Sequence, residues 1–210
     1  MGTLLCLALE FALPAWAQAG RLLPWHRGHL TERYGLLMLI VLGEGLLAAS
    51  FGFRALYGAE PDYHAAMTGL AGVVIVFTLW WVYFDRDHDL DRQSALRAFL
   101  WGYGHAPLFA SVALVGAGAA FVAEHPEHAA GWALGGPLAV AYALIWALRD
   151  RVLTLSPAQS LLLPIAALGF AAGDALQATA MIFAVISALL LACRILLFPS
   201  QIPNPENSHD

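Results

Sequence analysis

Glu10, Glu44 and His105 are ionisable residues that stand inside long apolar stretches of the sequence. Stretches of this length predict membrane-spanning helices, and an ionised carboxylate at the centre of such a helix costs about 3 kcal/mol or more. At 1.5 Å of rise per residue, Glu44 lies about 16 Å from Arg33, and His105 lies about 12 Å from Arg97. We therefore expect the three groups to lie at a similar depth, on neighbouring helices, near the middle of the bilayer.

This group of side chains could have a functional role or a structural one. Pro14 has no N–H to donate, so it frees the backbone carbonyl of Glu10 beside the Glu10 carboxyl. Carboxyl, carbonyl and imidazole groups together could relay protons, hold a small cation or contact a small polar solute. The alternative is structural, with Glu10, Glu44 and His105 hydrogen-bonded to one another so that they fasten helices together. The sequence leaves both interpretations open.

A second polar group stands at the start of the stretch that contains Glu44. His29, Glu32 and Arg33 fall within about one helical turn, and Arg33 lies on nearly the same helix face as Glu44. We expect a polar track that runs along this face from an inner mouth to the middle of the bilayer. At the mouth, Arg33 should be charged and paired with Glu32 or with Asp85, which follows the third apolar stretch.

The composition predicts an all-α polytopic transmembrane helix bundle. Hydrophobic residues make up 60% of the 210 residues and charged residues only 12%, about half the charged share of a soluble domain. A helix needs about 20 apolar residues to cross the hydrocarbon core. We expect one bundle over residues 1–197 and a disordered cytoplasmic tail over 198–210. Seven stretches predict the spanning helices: 2–19, 34–53, 64–84, 98–123, 131–148, 158–173 and 177–197.

The ten basic residues are all arginines, and their positions predict the orientation of the bundle. Nine of them fall in connections that alternating helices place on one side, whereas Arg54 falls on the other. Because positively charged connections stay in the cytoplasm, we predict a multi-pass inner-membrane protein with an outer N-terminus and a cytoplasmic C-terminus. The lipid bilayer is then its main partner. Nucleic acid is not expected, and assembly with further copies of the chain is left open.

Two further patterns concern packing. The aromatic residues of segment 80–84 are typical of anchors at the membrane interface, so we expect them not to contact a ligand. Gly131 with Gly135, and Gly169 with Gly173, follow the GxxxG spacing that lets helix backbones approach closely in lipid. This spacing predicts close helix contacts in the second half of the chain.

The motif in residues 29–44 resembles the signature of the bacterial low temperature requirement A family, LtrA. The resemblance implies a multi-pass membrane protein linked to growth in the cold, without a defined molecular activity. Family members are usually longer, so this chain resembles the later part of their architecture. The matching residues are His29, Glu32, Arg33, Gly35, Leu36, Leu42, Gly43 and Glu44, then Glu10 with Pro14, segment 80–85 and segment 102–105.

Three functions from different classes fit these observations. The first is a transporter of protons, ions or a small polar solute, favoured if a polar cavity reaches Glu44. The second is a structural or regulatory membrane protein for cold growth. The third is a lipid-modifying enzyme, whose only support is the acidic segment 85–92. That segment lacks the glycine and glutamate of an EF-hand. The sequence also lacks HExxH, a phosphate loop and a credible nucleophile–His pair, so we predict no enzyme, metal or cofactor.

Overall fold

The computed structural model describes residues 27–54, 57, 60–86, 95–125, 131–152 and 155–197, with six isolated positions before residue 14. These residues form helices connected by short links. A π-helix (Gly131–Gly135) leads into the fourth α-helix, and a 3-10 turn (Asp150–Val152) follows it. The α-helices are α1 (Arg27–Arg54), α2 (Tyr63–Phe84), α3 (Ala95–Glu124), α4 (Gly136–Leu148), α5 (Pro157–Ala175) and α6 (Ala180–Leu197).

The predicted all-α transmembrane bundle is confirmed. Five helices are long and apolar enough to cross a membrane, and Trp132–Leu148 adds a shorter apolar helix. Six of the seven predicted stretches therefore correspond to helices. The remaining stretch, residues 2–19, falls largely outside the described residues, and the predicted tail 198–210 falls wholly outside them.

Short polar signals fix the ends of several helices. The carboxylate of Asp62 accepts a hydrogen bond from the Ala65 backbone N–H at 3.1 Å, which caps the start of α2. A capping box of Ser156 and Gln159 starts α5, with Pro157 in the first turn, where its missing N–H costs nothing. These N-terminal caps fix the residues at which α2 and α5 begin.

The helices alternate in direction and pack as two connected halves. In the first half, α1 packs against α2 and α3. In the second half, α5 packs against α4 and α6. Contacts of α2 with α6 and of α3 with α4 join the halves. We call the end where Asp85, Asp150 and Arg194 meet the arginine end. At the opposite end of the bundle, α1 ends at Arg54 and α3 ends at Glu124.

Glycines set the register between α1 and its two neighbours. A Cβ atom on Gly116 would lie 2.8 Å from the Cα of Gly45, so the backbones of α1 and α3 nearly touch there. A Cβ atom on Gly69 would lie 3.3 Å from the Cα of Gly52, where α2 crosses α1. Without side chains at these points, van der Waals contact between backbones holds the helices together.

Candidate functional site

Glu44 lies on a face of α1 that the described helices leave uncovered. Its side chain is exposed, and so are the apolar side chains of Ile40 and Leu47 on the same face. The neighbouring Gly45 points the other way, toward Val76 of α2 and Gly116 of α3. Glu44 is therefore a carboxyl group on an otherwise apolar helix face.

Glu10 is one of the isolated positions described before residue 14, and its side chain is also exposed. Most of the predicted helix that carries it falls outside the described residues. The pairing of Glu10 with Glu44 therefore stays a prediction.

His105 is fully buried, but it does not share the depth of Glu44. Its ring lies 5.0 Å from the ring of Tyr34, near the start of α1. Eleven residues further along each helix, Gly45 of α1 meets Gly116 of α3. Because α1 and α3 run in parallel, Glu44 and His105 are separated by about 15 Å along the helix axes.

The expectation of a common depth is corrected for a simple reason. It was measured from Arg33 on one helix and from Arg97 on the other. The register that places Tyr34 beside His105 puts Arg97 level with the very start of α1. Along the helix axis, that position lies about 10 Å farther from the middle of the bilayer than Arg33 does. The two arginines therefore do not mark the same level of the bilayer, and counting inward from them overestimates the depth of His105.

The contacts of His105 fix how its ring is used. Nδ1 lies 2.7 Å from the backbone carbonyl oxygen of Trp101, which can only accept, so Nδ1 donates. Nε2 lies 3.0 Å from the Tyr83 hydroxyl, and in the neutral imidazole it accepts the hydroxyl hydrogen. Tyr34 packs edge-on against both Trp101 and His105. His105 thus joins α2 and α3 and sets the orientation of Tyr83.

A cavity of about 610 Å³ lies beside this group at the arginine end. Both polar and apolar side chains border it, which is the usual composition of a small-molecule site. Tyr83 and Phe84 are among them, so two of the aromatic residues expected to serve only as anchors border a cavity. The lining residues are Thr31, Glu32, Gly35, Leu36, Leu39, Tyr83, Phe84, Arg86, Trp101 and Arg149.

Arg149 is the most deeply buried charged group in the lining of this arginine-end cavity. Its guanidinium carbon lies 4.6 Å from the centre of the Tyr83 ring, and the group donates to the backbone carbonyl of Arg86. Burial lowers the pKa of Arg149, and the nearby Tyr83, Asp85 and Asp150 oppose that shift. Arginine remains charged in proteins, so the cavity wall carries a fixed positive charge.

Arg194 forms a buried ion cluster behind the cavity. The Arg194 guanidinium donates to the carboxylate of Asp85 at 2.6 and 3.2 Å and to that of Asp150 at 2.7 and 3.0 Å. Only 1% of the Arg194 side chain is exposed. This Arg194 cluster joins the end of α2, the turn after α4 and the last turn of α6. The sequence analysis used Arg194 only to predict orientation, although it is the one charged residue of the apolar α6, a position that favours burial with a counter-ion.

The predicted inner-mouth cluster is only partly assembled. His29 and Glu32 lie 3.4 Å apart, and both side chains are exposed. Arg33 is exposed as well. Asp85 pairs with Arg194 instead of Arg33, because the end of α2 faces α6 and because a buried guanidinium needs a counter-ion more than an exposed one does.

Two comparisons with known proteins bear on this arrangement. The family model described as bacterial low temperature requirement A protein (LtrA) matches residues 1–195. An uncharacterized protein of Rhizobium meliloti (strain 1021) is 27% identical over 143 residues, which cover 61% of this chain and 34% of that protein. The chain thus spans about a third of the length of this relative. No solved structure matches the chain.

Proposed function

The chain belongs to the bacterial low temperature requirement A family, and from that premise we propose that it is a non-enzymatic membrane transport protein. Its cargo would be a small polar solute or an ion, bound in the arginine-end cavity. The observation that carries the proposal is the cavity itself, because a buried arginine and a hydrogen-bonded tyrosine border about 610 Å³ of space in a membrane bundle. Buried polar groups in such bundles commonly mark solute and ion pathways.

The charges around the cavity favour a solute that has both a negative and a positive end. Arg149 and Arg86 supply positive charges in the wall, and the exposed Glu32 supplies a negative charge at the rim. The apolar side chains of Leu36, Leu39 and Phe84 border the remaining space. A small zwitterion or a polar solute with a short apolar part would satisfy all three surfaces.

Glu44 would serve a separate path for a proton or ion. It lies nine residues after Gly35, which borders the cavity, so the two positions face opposite sides of α1. We propose that Glu10 packs against the Glu44 face and that a proton or small cation moves between these two carboxyl groups. Intramembrane Asp, Glu and His residues form proton relays in pumps and transporters.

Replacing Arg149 by glutamine tests the cavity. We expect the solute concentration at half-maximal uptake to rise about 10- to 100-fold, since a hydrogen bond to a charged group contributes about 1.5–3 kcal/mol. Uptake would be measured in proteoliposomes that contain a pH-sensitive dye, with amino acids, small organic acids, sodium, potassium and chloride offered one at a time. Arg151→Gln is the matched control, because Arg151 is exposed and does not border the cavity. Equal behaviour of the two variants would contradict the proposed site.

A second function, structural or regulatory, is favoured by the Arg194 cluster, which fastens α2 to α6 without need of a solute. The Glu44→Gln variant separates the two. On the transport proposal, this variant should fold normally and lose pH-dependent flux, because the amide keeps the shape of the side chain but cannot titrate. If the variant is stable and fully active, Glu44 has no part in the transport mechanism. If the wild type transports none of the solutes tested, the structural function is favoured.

We also propose that the arginine end faces the cytoplasm, as the arginine distribution predicts. In a background with Cys6 and Cys193, both exposed, replaced by serine, single cysteines at Glu124 and Arg151 report the two ends. A membrane-impermeant maleimide added to intact cells should label Glu124→Cys and leave Arg151→Cys unlabelled until the cells are permeabilised. The reverse pattern would overturn the orientation.

A further inference from the structure

Asp174 is a buried carboxylate in the half of the bundle away from the arginine-end cavity. It lies near the end of α5, with 5% of the residue exposed. The backbone N–H of Gly136, at the start of α4, donates to the carboxylate. Its Oδ1 atom has no hydrogen-bond partner among the residues that the structure describes. The hydrogen bond from Gly136 therefore accounts for one oxygen of Asp174, and the other oxygen has no partner in the described part of the chain.

The backbone around Asp174 fits closely against it. A Cβ atom on Gly135 would lie 2.7 Å from the Cβ of Asp174 and 2.8 Å from the carbonyl oxygen of Phe170, so only glycine fits there. Gly135 ends the π-helix, a form of helix that is common at functional sites. Phe183 of α6 closes the third side. The site is thus formed by three elements around one acid.

No counter-charge is supplied by the helices that pack here. The π-helix and α4 contain no charged residue, α5 contains only Asp174, and α6 contains only Arg194. Arg194 belongs to the arginine end, about 16 Å from the level of Phe183 along α6. An ionised Asp174 would therefore be a poorly compensated charge at the end of a membrane span.

Two buried hydroxyl groups lie between Asp174 and the arginine end. Tyr142 is two turns after Gly135 on α4, and Ser187 is two turns before Arg194 on α6. Both are fully buried, and their hydroxyl groups face each other. Neither hydroxyl oxygen reaches full hydrogen-bond geometry with another group in the described part of the chain. The Tyr142 ring stacks on Phe170 at 5.1 Å, one turn before Asp174.

We propose that α4, α5 and α6 enclose a hydrated proton-binding site, in which the Asp174 carboxylate takes up a proton from water and releases it again. In uptake, the carboxylate accepts H⁺ from a hydronium ion and leaves a water molecule. The Tyr142 and Ser187 hydroxyls hold water about 10 Å deeper in the bundle. Buried polar atoms rarely stay without partners in native proteins, so the unpartnered Oδ1 of Asp174 and the incompletely satisfied hydroxyl pair point to water. This site is independent of the proposed transport function.

Infrared spectroscopy of the protein in phosphatidylcholine vesicles tests the site without any solute. Between alkaline and acidic pH, the wild type should gain the C=O stretching band of a protonated carboxyl group, and Asp174→Asn should lack that component. Glu124→Gln, which removes an exposed acid at the same end of the bundle, should retain it. If Asp174→Asn does not fold, Asp174→Glu should shift the band. Spectra that neither variant changes would overturn the proposal.

Exchange into deuterated water tests the hydration. The Asp174 band should move to lower frequency on exchange, and Tyr142→Phe with Ser187→Ala should slow that exchange several-fold. Tyr63→Phe is the control, because Tyr63 is exposed at the start of α2. A band that never exchanges, or one that exchanges equally fast in all variants, would show an isolated structural acid and overturn the hydrated site.

Discussion

Replacing Arg194 by methionine is expected to lower the free energy of unfolding by about 3–5 kcal/mol, the cost of removing one partner from a buried ion pair. The variant leaves Asp85 and Asp150 side by side, both shielded from water and without their shared guanidinium. Because the cluster joins α2 to α6, the loss should appear as earlier separation of the two halves of the bundle. Denaturant or thermal unfolding in detergent measures it.

The controls for this prediction use the same end of the bundle. Arg151→Met removes an exposed arginine and should change stability by about 0.5 kcal/mol or less. Combining Arg194→Met with Asp85→Asn and Asp150→Asn should recover most of the loss, because the stranded charges are then gone. If Arg194→Met and Arg151→Met were equally stable, the buried cluster would not be holding the helices together.

The fold was predictable because membrane spans depend on a property that each stretch has by itself. A run of apolar residues must form a helix in lipid, whatever it packs against, since its backbone groups have no other partners. The helices from Arg27–Arg54 to Ala180–Leu197 follow from that rule. Helix pairing depends on which face of one helix meets which face of another, and hydropathy does not record it.

The site was less predictable for the same reason. Sequence reasoning selected Glu44 because it interrupts an apolar run, but the structure leaves Glu44 on an uncovered face. Asp174 falls between the predicted stretches 158–173 and 177–197, and Arg194 was counted only among the nine arginines that predict orientation, yet both residues are buried. Residues near the ends of spans look solvated in a sequence. Whether they are buried is decided by the neighbouring helices, which lie far away along the chain.

Glycine patterns were informative only in part. Gly135 and Gly173 do lie at close contacts, as the GxxxG spacing predicts, while Gly169 has open space where a Cβ atom would be. Close contacts also occur at glycines of the first half that no GxxxG pair includes, such as Gly52 and Gly69. A spacing motif identifies helix faces that could approach a partner, but the partner's own shape decides where they do.

The closest of these contacts gives the second large prediction. A Cβ atom on Gly118 of α3 would overlap the backbone oxygen of Ala133 in the π-helix and lie 2.7 Å from the carbonyl carbon of Ala133. No rotamer can relieve a clash with backbone, so Gly118→Ala must push the π-helix away from α3. We expect a loss of about 1–3 kcal/mol or more, the usual cost of overpacking. Thermal unfolding of the purified protein measures the change.

Gly43→Ala is the matched control, and its effect on stability should have the opposite sign. Gly43 lies within α1 and has no atom within 4 Å of the position of an added Cβ. Alanine there avoids the helix penalty of glycine, about 1 kcal/mol, so the variant should be as stable as the wild type or more stable. The same substitution then raises stability at one position and lowers it at another, a difference that only the contact with Ala133 explains. Equal stability of the two variants would mean that α3 and the π-helix are not in backbone contact.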